Sequence, residues 1–203
     1  QWLPDFIVDL KVEASKFMTP WLEAQAMDVH ISNKDKVFKL DSVKGKLDDG
    51  TFNGHFFLDT NGQSPAISLH IDSDNFDPDT ISLMRDYDMV REGHMSIIID
   101  LESQGSNEQE LAAALNGRLT SVSRNTLLSG SDLDDLAPAV LKEINRKVNP
   151  FYDKDKIRDT LLECGVIHFN IENGLMEANK SIILVTPEIV FGAHGAIDLK
   201  NDQ

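Results

Sequence analysis

The sequence predicts a mainly β chain: an antiparallel, meandering sheet of about ten strands with a few short helices. Three observations predict it. Apolar and polar residues alternate with period two along most of the chain. Short clusters of Asn, Asp and Gly punctuate the runs. The helical period of 3.6 appears in few places.

Taken in order, Phe6, Val8, Leu10 and Val12 alternate with Ile7, Asp9, Lys11 and Glu13. A one-turn helix is expected at Thr19-Pro20-Trp21-Leu22. Met27, Val29 and Ile31 alternate with Asp28, His30 and Ser32, and Asn33-Lys34-Asp35 supplies a turn. Phe38, Leu40 and Val43 lead to Asp48-Asp49-Gly50. Phe52, Phe56 and Leu58 share one parity, with Gly54 between them, and Asn61-Gly62 follows. Ile67, Leu69 and Ile71 form the next run. Asp77-Pro78 reads as an N-cap with Pro at N1, opening a short helix to about Met84.

Met95, Ile97, Ile99 and Leu101 form a further strand. Asn107 with Glu110 fits a capping box ahead of Leu111 and Leu115, and Asn116-Gly117 closes that helix. A strand near Leu119 follows. The longest helix is expected at about 132–148, on a stripe of Leu133, Leu136, Ala137, Val140, Leu141, Ile144 and Val148, kinked at Pro138. Phe169 and Ile171 then alternate up to Asn173-Gly174, a strong hairpin signal, and strands near Ile183 and Ile189 complete the count at about ten.

Ten strands at about 4.8 Å make a sheet about 45–50 Å wide. The 132–148 helix, about 25 Å long and about 10 Å across, covers about a fifth of one face. Two architectures follow. The sheet closes on itself as a sandwich or barrel, or it curls into an open trough whose apolar lining is left for something else.

A net charge of −15 repels phosphate backbones and anionic membranes, so nucleic acid is not an expected partner. The single cysteine, Cys164, excludes an internal disulfide framework. No apolar run approaches the length of about 18 residues that spans a bilayer as a helix. Because the chain begins at Gln1, it reads as a fragment or processed chain.

Residues 97–122, "IIIDLESQGSNEQELAAALNGRLTSV", and 165–199, "GVIHFNIENGLMEANKSIILVTPEIVFGAHGAIDL", resemble AsmA-type envelope proteins. The first carries a strand, a small-residue loop and a helix ending Leu-Asn-Gly. The second closes on Gly192-Ala193-His194-Gly195-Ala196-Ile197-Asp198-Leu199. "KVFKLDSVKGKLDDGTFNGHFFLD", 36–59, is similar to the preceding repeat of that family. The resemblance covers residues 5–200 and implies one β-groove domain, or two similar halves at about 1–88 and 89–203, cut from the C-terminal region of a larger protein. It implies a place on the periplasmic face of the bacterial inner membrane, with the anchor outside this chain. It also implies a phospholipid or other acyl lipid as partner, lipid transport or outer-membrane assembly as role, and neighbouring β-groove repeats of the same chain as further partners.

No GxSxG, SxxK, Walker A or dinucleotide fingerprint occurs, so no enzyme activity and no cofactor is expected. His30, His55, His70, His94, His168 and His194 lie in no ligand spacing, and no metal site is expected. "DSDNFDPD", 72–79, fails the EF-hand pattern and reads more simply as a helix cap. The groove lining is expected from Phe6, Val8, Leu10, Phe52, Phe56, Leu58, Met95, Ile97, Ile99, Leu101, Phe169 and Ile171. In a closed structural module that pairs through its edge strands, the same residues would be dry core.

Overall fold

The computed structural model describes residues 7–19, 22–81, 90–128 and 160–200. The expected helix at about 132–148, together with Phe6, Trp2 and Trp21, lies outside the described residues.

Ten strands run up and down: β1 (Val8–Met18), β2 (Glu23–Lys34), β3 (Val37–Leu47), β4 (Gly50–Asp59), β5 (Ala66–Phe76), β6 (Val90–Gln104), β7 (Asn116–Leu128), β8 (Thr160–Glu172), β9 (Leu175–Val185) and β10 (Val190–Asp198). They form one sheet in chain order, every neighbouring pair antiparallel, open and curved. Among the described residues, strands pack on their ladder neighbours, while a 3-10 turn (Pro78–Thr80) and helix α1 (Glu108–Ala113) pack on β6.

Turn chemistry sets the register. Asn173 and Gly174 both have positive φ, 47° and 74°, which matches hairpin twist. The turn expected at Asn33-Lys34-Asp35 is displaced. Asn33 and Lys34 stay in the ladder opposite Phe38 and Val37, and Asp35 and Lys36 turn the chain at φ 51° and 59°. Asn61-Gly62 belongs to a longer loop, where Asn61 donates from its backbone to Asp59 Oδ1 (2.9 Å) and from its side chain to Asp35 O (2.8 Å).

Four non-glycine residues outside the hairpin turns also have positive φ: Ala26 (49°), Asn75 (54°), Asn125 (49°) and Lys180 (55°). Each falls where a strand shifts register against a neighbour. Such bulges bend a strand and raise its twist. They account for the curvature.

The described parts of the expected helices depart from the expectation in detail. At Thr19–Leu22 the Thr19 N–H donates to Leu22 O (2.9 Å), a hairpin-closing direction, and Leu22 N–H donates to Thr19 Oγ1 (3.0 Å). Of the helix expected from Asp77-Pro78 to about Met84, the described part is one 3-10 turn, Pro78–Thr80, followed by Ile81 in an isolated bridge to Leu22; residues 82–84 lie outside the described residues. In α1, Asn107 Oδ1 accepts from Glu110 N (2.9 Å), while the Glu110 carboxylate accepts from Ser106 N (2.8 Å). The back-bond therefore reaches one residue before the cap. Asn116-Gly117 opens β7 instead of ending the helix.

The tightest packing gathers where the Leu22–Ile81 bridge draws two connections together. Ala24 and Phe76 are fully buried there with Met27 and Leu47, and Val29, Val43, Phe52, Met95 and Ile97 pack around them.

Candidate functional site

Cross-strand partners share a face of the sheet, so the ladders themselves place the side chains. One row runs across all ten strands: Leu10, Ile31, Leu40, Phe56, Leu69, Leu101, Gly117, Ile171, Met176 and Ile197. A second runs Val12, Val29, Val43, Gly54, Ile71, Ile99, Leu119 and Phe169. A third holds Val8, Asn33, Phe38, Leu58, Ile67 and Ser103. None of these positions carries an ionisable group. Phe52, Ile97 and Met95 belong to the two rows that follow.

The eleven described lining candidates therefore share one face: Val8, Leu10, Phe52, Phe56, Leu58, Met95, Ile97, Ile99, Leu101, Phe169 and Ile171. Of these only Ile171 is buried, at 5%, and Leu10 is 49% exposed; the rest are half-buried. Sequence reasoning did not list Val29, Ile31, Leu40, Leu69, Ile71 and Leu119 as lining, although the ladders put them in the same rows. Their alternation was visible. What was lacking was the partner strand that says which parity faces inward.

The opposite face is polar over most of its area. His70 Nδ1 bonds Asp100 Oδ1, and Arg118 Nε and Nη2 each reach Asp100 Oδ2 at 2.7 Å. The His55 ring stacks on His70 at 5.0 Å. His30 bonds Asp9 (2.8 Å), and His168 bonds Thr120 (2.8 Å). These histidines tie neighbouring strands together, and no cluster of three metal-ligating side chains occurs among the described residues. Cys164 is half-buried on this face, opposite Arg124. A shallow recess of about 440 Å³ lies at the β1–β4 end of the sheet, lined by Ile7, Asp9, Ser32, Lys34, Lys39 and Phe57, with Lys39 Nζ 5.7 Å from the Phe57 ring centre.

The hydrogen bond from His70, helped by Arg118, holds the Asp100 carboxyl below its usual value against the opposing effect of partial burial. A depressed carboxyl adds stability above its unfolded value of about 4 and loses it as pH falls through the folded one. Asp100→Asn is therefore expected to lower the urea midpoint at neutral pH, and the gap from wild type should close progressively as pH is taken below about 4. A gap independent of pH would contradict this account.

A scan against family models matches residues 3–181 to the AsmA family. No curated protein and no solved structure matches the chain. The match covers most of the sequence, so the chain belongs to the AsmA family, an affiliation that associates it with the bacterial envelope.

Proposed function

We propose that this chain is a non-enzymatic hydrophobic-groove domain that shelters phospholipid acyl chains. It serves lipid transport or outer-membrane assembly from the periplasmic face of the inner membrane, beside further β-groove repeats. The observation that carries the reading is the uncharged apolar face of the sheet, whose large side chains stay half-buried with no second layer over them among the described residues. Family membership supports it.

The mechanism is area burial. Each sheltered CH₂ contributes about 0.8 kcal/mol, so a ten-carbon stretch gives about 8 kcal/mol. Association costs of about 4–15 kcal/mol offset most of that. The net affinity is modest and indifferent to the chain's identity. A trough of this kind holds many lipids briefly and lets them slide, which suits transfer better than storage.

A second reading, a module that pairs through its edges, is favoured by β10. Its ladder faces β9 on one side, and Val190, Gly192, His194 and Ala196 offer no fixed charge to deter a further strand. Native mass spectrometry of the gently purified chain separates the two. The trough predicts co-purified phospholipid. A clean protein mass, with no uptake of a fluorescent acyl probe, sinks the trough and leaves the edge-pairing module.

A further inference from the structure

Two further rows on the lining face break the apolar pattern. One runs Ser73, Ile97, Ser121 and Ile167; the next runs Met95, Ser123, Gly165 and Leu184. Most hydroxyls on this face are spent on backbone carbonyls. Ser73 donates to Thr51 O (3.3 Å), Ser103 to Leu111 O (2.6 Å) and Thr126 to Arg124 O (3.3 Å). Ser121 and Ser123 have no hydrogen-bond partner among the described residues, and Ser123 is only 9% exposed. The Ser123 side chain is closely packed, yet its hydroxyl is not sealed off and stays open to the trough. Gly165 is what admits it: a Cβ there would stand 2.5 Å from Ser123 Oγ.

We infer that Ser121 and Ser123 form a hydrogen-bonding subsite that takes the ester carbonyl of an acyl lipid, an inference that rests on the trough reading above. An ester carbonyl is an acceptor joined directly to the hydrocarbon that the apolar rows would cover, and a serine hydroxyl has one proton to give. The adjacent rows hold Val12, Val29, Ile71, Ile99 and Leu119, which offer no side-chain donor. Same-face positions on one strand lie about 7 Å apart, so the two hydroxyls sit side by side along β7. The subsite fixes where along the trough a lipid rests, while the chain beyond it stays interchangeable.

The test compares a diacyl phosphatidylethanolamine with its dialkyl ether analogue of equal chain length, which lacks the carbonyls. The full chain is expected to hold the ester about tenfold more tightly. In S121A/S123A that preference should fall to within about twofold, with ether affinity unchanged and the urea midpoint little changed, since neither hydroxyl holds the fold together. Should the double variant fail to fold, Ser121→Ala alone, at a half-buried position, is expected to reduce the preference. Equal binding of both lipids by the wild type, or a preference that survives the substitutions, overturns the subsite alone. Binding of neither lipid removes the trough and the subsite together.

Discussion

Ile99→Asp is expected to fold and to lose its lipid. Ile99 sits mid-trough between Ile71 and Leu119 and is half-buried, so its side chain already meets water. A carboxylate there should cost the free protein about 1–2 kcal/mol, well short of unfolding it. A bound acyl chain would have to dehydrate that charge, which has no partner in the rows around it. Affinity for a fluorescent acyl probe is expected to fall about 100-fold or more, equivalent to about 2.7 kcal/mol. Circular dichroism and probe titration on one sample decide the matter. An unfolded variant would mean that Ile99 is dry core, and unchanged binding would mean that lipid, if held, lies elsewhere.

Phe76→Ala is expected to have the larger effect on stability. Phe76 is fully buried at the end of β5, just past the bulge at Asn75, within the cluster of Ala24, Met27 and Leu47. Emptying such a site costs about 3–5 kcal/mol. For a chain of this length that lowers the thermal midpoint by about 6–20 °C. Phe56→Ala is the control. Phe56 is half-buried in the trough and should cost less than half as much. Equal losses at the two positions would erase the distinction between a packed end and an open lining.

The ten strands were legible because period-two alternation and Asn-Gly or Asp-Gly punctuation are local signals, and both survive into the structure at Asn173-Gly174 and through β4, β5 and β6. The lining was legible as parity. Phe56, Leu58, Ile97 and Ile99 lie on one face because a ladder preserves the alternation written in the chain. What stayed hidden is non-local. The Leu22–Ile81 bridge joins residues that no sequence window holds together, and it places Ile81 in a ladder contact directly after the Pro78–Thr80 turn. Of the four bulges, Asn75 and Asn125 are residue types that accept positive φ, but Ala26 and Lys180 carry no such mark. The pairing of His70 with Asp100 needed a register, which exists only once β5 meets β6. The sequence did not single out the two serines on β7, because which hydroxyls already have partners shows only once the strands are paired.

A sheet in which each strand borders only those before and after it in the chain has no seam. In a closed barrel the first and last strands must meet, so the strand number is fixed by geometry. Here nothing of that sort sets a limit. One more hairpin would lengthen the ribbon by about 9.6 Å, two strand spacings, without repacking the rest. Its pairings are between chain neighbours, so the ribbon can assemble as a zipper, one rung laid on the last. The length of the apolar face then becomes a matter of counting hairpins.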